Sequence, residues 1–361
     1  MIRRLVDKWS AVACLVVLLG FAYAGLSPFR TPPNGAKWLV GKNGMRIRGE
    51  GILRTDRSFT SEGFASRGCS IELWLQSARN LGSSTILDFY QTKPLRQFVI
   101  RQDGDSRLQV IKSDPSGLQV LELDYQFFPA ERTLLTITSG PRGAVVFVGE
   151  KAIKTSGSLE ILPSDCTGTL VLGAAAVSYN NWNGELYGVA IYNSNLTEVQ
   201  VRRDYEEWHT QGQLNLDPAE SVSGLYEFSE RSGNVAHNRI MGGPDLIAPP
   251  AFQIPGRPFL ENPWSEFRSY GVDWKDVVIN IVGFIPFGFF LLSFLTSTRD
   301  YRLAGLSAVA IGLLVSLAIE VLQWHLPTRG SSMFDVTTNT LGTAMGALTY
   351  RVLFGTSRVS S

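Results

Sequence analysis

Six polar residues toward the C-terminus carry the chemistry that this sequence offers: Asn280, Glu320, Gln323, Arg329, Asp335 and Asn339. Glu320 and Gln323 are three apart and Asp335 and Asn339 four apart, so on helices each pair projects from a single face. Two carboxylates with one nearby guanidinium have the residue types for general acid–base work, or for holding a polar head group between them. Arg329 can neutralise one acid while leaving the other available. No nucleophile elbow, phosphate-binding glycine loop or metal-ligand spacing accompanies them. The balance favours binding over catalysis, and leaves an enzyme open.

These residues interrupt or border apolar stretches that must position them. The run "WSAVACLVVLLGFAYAGLSPF" between Lys8 and Arg30 is long enough, at about 1.5 Å per residue, to cross a hydrocarbon core of about 30 Å. A second such run lies between Asp276 and Arg299, and a third between Arg302 and Glu320. A fourth helix is expected from near Asp335, with only Val336 to Tyr350 uncharged, roughly 22 Å at helical rise. Polar residues facing lipid are costly, so Asn280, Glu320, Gln323, Asp335 and Asn339 should turn toward one another or toward a water-filled cavity. Gly342 and Gly346 form a small-xxx-small ridge for close helix approach, and Pro286, flanked by Gly283 and Gly288, should kink the second helix.

Arg3, Arg4 and Lys8 precede the first apolar run, Arg299 and Arg302 lie between the second and third, and Arg351 and Arg358 follow the fourth. By the positive-inside rule these flanks and the C-terminus are cytoplasmic, in a multi-pass protein of the plasma (inner) membrane with residues about 27–272 outside. A cleaved signal peptide is the alternative for the start, with Ala22-Tyr23-Ala24 as a small-x-small cleavage site.

Composition excludes other classes. With 33 Lys plus Arg against 32 Asp plus Glu, the chain lacks the basic excess of a nucleic-acid binder. Its apolar residues are concentrated in the terminal blocks, which excludes a soluble enzyme. Three cysteines and three histidines, scattered without ligand spacing, exclude a structural zinc finger. No metal or other cofactor is expected. Asp103-Gly104-Asp105 admits calcium, but a hairpin turn with Gly104 at positive φ accounts for it without a ligand.

The polar middle consists of short alternating or β-branched runs between turn residues, such as "CSIELWLQ" at 69 to 76 and "AVVFVGE" at 144 to 150, the pattern of an antiparallel sandwich. Cys69 and Cys166 each border such a run on the oxidising side of the membrane, where a disulfide between them is expected to be permitted. Trp182, between Asn181 and Asn183, either stacks on a sugar or plugs the sandwich core.

Two resemblances follow. "CSIELWLQSARNLGSSTILDF" and "WNGELYGVAIYNSNLTEVQVRRDY" resemble segments of laminin-G-like, concanavalin-type domains, and "GLYEFSERSGNVAHNRIMGGPDLI" at 224 to 247 resembles the strand that opens many of them, here placed last. The resemblance implies a jelly-roll sandwich; family members bind glycans, proteins or nothing known. "NIVGFIPFGFFL" and "SLAIEVLQWHLPTRGSSMFDVTTNTLGTAMG" resemble the VanZ-like family of membrane proteins, whose polar positions fall on Asn280, Glu320, Gln323, Arg329, Asp335 and Asn339, with Gly283, Pro286, Gly288, Gly342 and Gly346 as backbone positions.

The expected fold class is therefore mixed: a four-helix transmembrane bundle with an inserted all-β antiparallel jelly-roll sandwich. The expected organisation is a first membrane helix at 1–30, an extracytoplasmic sandwich at 31–255, a linker at 256–275 and a VanZ-like three-helix segment at 276–361. The expected partners are membrane lipids, and surface polysaccharide or lipid-linked glycan; an oligomer is compatible with the sequence. The VanZ-like resemblance implies a part in envelope resistance to lipid-bearing glycopeptides. The competing functions are a membrane hydrolase or transferase acting on a lipid phosphate, and a purely structural anchor for an adhesive module.

Overall fold

The computed structural model describes residues 2–27, 31–60, 68–80, 82–92, 95–104, 107–129, 131–217, 220–256, 259–260, 262–264, 274–296, 301–326 and 329–354. The chain divides into two compact units, Pro32–Arg257 and a discontinuous one made of Met1–Thr31 with Pro258–Ser361.

Pro32–Arg257 is a sandwich of two antiparallel sheets. The first runs in the order Ala36–Trp38, Met45–Ile47, Gly184–Tyr192, Cys69–Ser77, Thr133–Gly140, Gly143–Val148 and Lys151–Ser156. The second runs Val235–Ala236, Leu246–Ile247, Leu53–Thr55, Thr169–Leu172, Ser83–Thr92, Leu95–Asp103, Arg107–Asp114 and Gly117–Asp124. Ile71, Leu73 and Leu75 point into the core between the sheets with Phe89, Phe98 and Ile100. The late segment 224–247 pairs in both: Val222–Tyr226 beside Gly184–Tyr192, and Leu246–Ile247 beside Leu53–Thr55. Cys69 and Cys166 form a disulfide across 97 residues of sequence. Gly104, at φ +65, sits in the turn between two neighbouring strands.

One expectation is corrected here. The inserted unit is not all-β. Of the helices α1 (Ile2–Leu26) and α2 (Glu198–Thr210), the second lies within it. Thr197 and Gln200 form a capping box at the start of α2, and Val201 and Trp208 bury its inner face. Together with Trp74, Leu134 and Tyr192 of the first sheet they make a second core, so strand Cys69–Ser77 is buried on both faces. Glu72 lies in that core, 0% exposed, within hydrogen-bonding reach of Trp208 Nε1 at 3.3 Å and Thr136 Oγ1 at 3.3 Å. Burial pushes its carboxyl well above the ordinary carboxylate range, and the charge of Asp204 adds to the shift.

Of the two readings of Trp182, the structure takes the core plug and leaves no sugar platform. The side chain is 0% exposed in the core between the sheets, and its indole N–H donates to Gln102 Oε1 at 3.1 Å. A Cβ at Gly184 would stand 2.1 Å from the Trp182 ring, so the glycine is what admits the indole.

The other unit holds α1 and three further long helices: α3 (Trp274–Leu295), α4 (Tyr301–Trp324) and α5 (Met333–Phe354). Helix α3 packs on α1 through Phe21, stacked on Phe284 with ring centroids 4.1 Å apart. Against α5 it approaches backbone to backbone. A Cβ on Gly346 would lie 1.9 Å from Ile285 O, and one on Gly342 2.3 Å from Ile281 O; from the other side, one on Gly288 would lie 2.0 Å from Thr343 O. Pro286 stands inside α3, which continues through it.

Among the described residues, three segments are long and apolar enough to cross a membrane: Trp9–Leu26, Trp274–Leu295 and Leu303–Trp324. Helix α5, the expected fourth, is not one of them, although its 22 residues would span about 33 Å. Its polarity comes largely from threonines whose hydroxyls are satisfied within the helix. Thr337, Thr340, Thr343 and Thr349 each donate to the carbonyl four residues earlier, at 2.7 to 3.1 Å.

Candidate functional site

One end of the helical unit contains a cavity of about 370 Å³. Its walls come from the C-terminal ends of α1 and α4 and the N-terminal ends of α3 and α5. Asn280 lies about 9 Å along α3, Glu320 about 6 Å before the end of α4, and Asp335 about 3 Å into α5, at 1.5 Å per residue. Asn280, Gly283, Glu320, Gln323, Arg329, Asp335 and Asn339 all line this cavity. Gly288, Gly342 and Gly346 do not; they belong to the deeper helix contacts, and Pro286, expected among them, is exposed on α3 and lines neither the cavity nor these contacts.

Each polar wall residue is held by a partner from another element. Asn280 Nδ2 donates to Asp335 Oδ1 at 2.8 Å, joining α3 to α5. Glu320, only 2% exposed, accepts the backbone N–H of Ser332 at 2.8 Å. Ser332 Oγ in turn accepts from the backbone N–H groups of Phe334 at 2.9 Å and Asp335 at 3.4 Å, the pattern of an N-cap. A carboxylate of α4 thus fixes the start of α5. Asn339 Nδ2 donates to Ser316 Oγ at 2.9 Å, again joining α5 to α4.

Helix α1 is tied in by the remaining two. Gln323 Nε2 donates to Gly25 O at 2.9 Å. Arg329 donates to Ala24 O and Ser27 O at 3.2 Å, carbonyls at the end of α1 that have no partner within the helix. A cation there also complements the negative end of the helix dipole.

The wall residues that sequence reasoning missed are Asp276, Phe21, Ala24, Gly25, Ile279, Phe284 and Ile319. A signal existed for Asp276, four residues before Asn280 and so on the same face of α3. Nothing local marks Phe21 or Gly25, whose place depends on which helix packs against which. No Ser, Thr, Cys or His stands among the lining residues, and no group of His, Cys, Asp and Glu among the described residues is arranged to hold a metal ion. The arrangement provides fixed acceptors and an apolar wall, suited to holding a polar group that enters from one end.

Residues 190–354 match a family model described as VanZ/LLP1. This region is a VanZ-like domain. Its matched span begins within strand Gly184–Tyr192 and runs through α3, α4 and α5, so it carries every polar wall residue of the cavity, while α1 lies outside the match. No curated protein matches the chain. Among solved structures, a putative carbohydrate-binding protein from Bacteroides ovatus is similar at 14% identity and a TM-score of 0.41, covering 60% of this chain and 58% of that one. A pentraxin from Limulus polyphemus is similar at 13% identity and a TM-score of 0.34, covering 48% and 78%. A sialidase carbohydrate-binding module from Ruminococcus gnavus, bound to sialyllactose, is similar at 9% identity and a TM-score of 0.34, covering 45% and 97%.

Proposed function

We propose that the protein is a multi-pass membrane protein whose VanZ-like domain, with α1, forms a four-helix bundle and holds the polar head of a lipid or lipid-linked glycan at the outer leaflet. The cavity carries this reading: polar side chains from α3, α4 and α5 line one space of about 370 Å³ at one end of the helices. In a bilayer, an intramembrane set of carboxylates and amides is retained where it faces a cavity or a ligand. Helix α5 suits this setting despite its polarity because its threonine hydroxyls bond to its own backbone.

The sandwich, on the same outer side, is the part placed to meet surface polysaccharide. Lowered susceptibility to lipid-bearing glycopeptides belongs to the same proposal, as a consequence of occupying or altering such a lipid.

The test is mass spectrometry of lipids retained by the full chain after purification in detergent. A defined lipid species retained by the natural protein and depleted at least about tenfold in Glu320→Gln, with both proteins eluting as folded, is the expected result; tenfold corresponds to about 1.4 kcal/mol of binding. A protein that retains no lipid, or a variant that retains the same lipid unchanged, overturns it.

A further inference from the structure

Part of the first sheet's outer face is an open row of cations. Strand alternation sends Ile47, Leu186, Leu75 and Leu135 into the core between the sheets. Lys37, Arg46, Glu185 and Gln76, which pair in that order across four neighbouring strands, therefore point the other way. Arg132, beside the Thr133 that pairs with Leu75, carries the row to a fifth strand. At about 4.8 Å between strands, the row is roughly 19 Å long. Helix α2 packs on this face at Trp74 and Leu134, two residues short of Gln76 and Arg132.

Lys37, Arg46, Arg132 and Lys42, in the turn before Met45–Ile47, stand here against one carboxylate of the row, Glu185. That carboxylate is spent. Its Oε1 accepts from Arg46 Nε at 2.9 Å and Nη2 at 2.7 Å, and its Oε2 from Lys42 Nζ at 3.1 Å. The Glu185 side chain is 15% exposed, whereas those of Lys42 and Arg46 are 44% and 45% exposed, so an arriving group meets the positive charge first. Lys37 and Arg132 are exposed, and neither has a carboxylate partner among the described residues. Arg132 lies over the Tyr187 ring at 4.0 Å, and Lys42 over it at 5.4 Å. A guanidinium stacked on a ring keeps the N–H edge that pairs with a planar oxyanion.

The face lacks what a protein partner needs. Protein interfaces draw their energy from aromatic and apolar anchors, and the one aromatic residue here, Tyr187, is 5% exposed beneath the two cations. Cations spaced along a flat face, with side-chain N–H groups to give, suit an extended polymer that bears regular anionic groups and hydroxyls. On the reading above that the sandwich meets surface polysaccharide, we infer that this face binds an anionic polysaccharide. Its carboxylates or phosphates pair with Arg132 and Lys37 at the two ends of the row, and with the outer sides of Lys42 and Arg46 between them. A neutral glycan leaves these charges unanswered.

The experiment measures, by fluorescence polarisation, the binding of labelled polymers to the full chain in non-ionic detergent. Polygalacturonate supplies carboxylates on sugar, phosphomannan supplies phosphates on sugar, dextran is the neutral polysaccharide and poly-L-glutamate the polyanion without sugar. The expected result is that polygalacturonate or phosphomannan binds about tenfold tighter than dextran and several-fold tighter than poly-L-glutamate, the tighter of the two naming the anion. Raising the salt from about 0.05 to about 0.2 M should weaken that binding several-fold, because exposed charges are screened. Removing both unpaired cations, Lys37→Ala with Arg132→Ala, should weaken it about tenfold with thermal unfolding unchanged. Removing two exposed cations from the sheet's edge strand, Lys151→Ala with Lys154→Ala, should leave it as it was. Dextran binding as tightly as the anionic polysaccharides, or their binding unchanged in the Lys37 and Arg132 double variant, overturns the assignment of this face while leaving polysaccharide contact by the sandwich standing. Equal binding of poly-L-glutamate, or equal loss in the edge-strand variant, reduces the effect to general charge and also overturns it. Binding of no polysaccharide removes both this inference and the polysaccharide reading, and leaves the lipid pocket untouched.

Discussion

The most exposed test of the structure at the scale of one residue is Asp88. It is 0% exposed in strand Ser83–Thr92; its Oδ2 accepts from the Ala176 backbone N–H at 2.8 Å and from Gln97 Nε2 at 3.2 Å, and its Oδ1 is buried without a partner. Burial pushes the carboxyl up to about 7, held back in part by the Ala176 N–H and the Arg101 charge. The folded value lies above the unfolded one of about 3.9, so the fold favours the protonated acid. The resulting contribution to stability is fully present below about pH 4 and is lost as pH rises toward about 7. Asp88→Asn removes that loss. The variant should be little changed at pH 4 and more stable than the natural protein at pH 8, by about 4 kcal/mol at most. Thermal unfolding at the two pH values checks this; a gain of equal size at both, or a loss at pH 8, contradicts it.

Among the helices, small residues act as close-contact points of unequal strictness, which sets up a paired prediction. Gly346 has Ile285 O where a Cβ would go, so Gly346→Ala forces α3 and α5 apart along a contact that Gly342 and Gly288 share. A loss of 2 kcal/mol or more, about the upper part of the range for overpacked sites, is expected in thermal unfolding of the detergent-solubilised chain. Gly283→Ala meets nothing nearer than 4.0 Å and should be neutral or gain up to about 1 kcal/mol, since alanine is the better helix former. Equal effects would mean that the α3–α5 approach is looser than described. The glycine spacing was legible because small-xxx-small is a local signal, and the strands were legible because side chains alternate with period two. Helix α2 was not, for a physical reason: its inner face is narrow, Val201, Asp204 and Trp208 on an otherwise polar helix. The same helix covers the outer face of strand Cys69–Ser77, whose other face lies in the core between the sheets, and so puts Glu72 in a core where alternation alone would place it in water. The links of Gln323 and Arg329 to the end of α1 were equally invisible, since they join residues about 300 positions apart.

For the whole molecule, the proposed four crossings imply a sidedness that can be measured. The cavity is lined by the C-terminal ends of α1 and α4 and the N-terminal ends of α3 and α5, so in four crossings these ends share one side of the membrane. Arg302 stands in the first turn of α4 and Arg351 in the last turn of α5, the ends opposite the cavity, and in sequence Arg299 precedes α4 and Arg358 follows α5. On the proposed topology the cationic flanks remain on the cytoplasmic side, and the cavity and residues about 27–272 are then expected outside. Native cysteines interfere little with thiol labelling, because Cys69 and Cys166 are bonded to each other and Cys14 is buried within α1. Val199 is 79% exposed on α2, so Val199→Cys should react with a membrane-impermeant maleimide on intact cells, whereas Ser360→Cys should react only after permeabilisation. The reverse pattern would invert the topology and place the cavity at the inner leaflet. Labelling of both sites on intact cells would mean an even number of crossings between them, with α5 not crossing the bilayer.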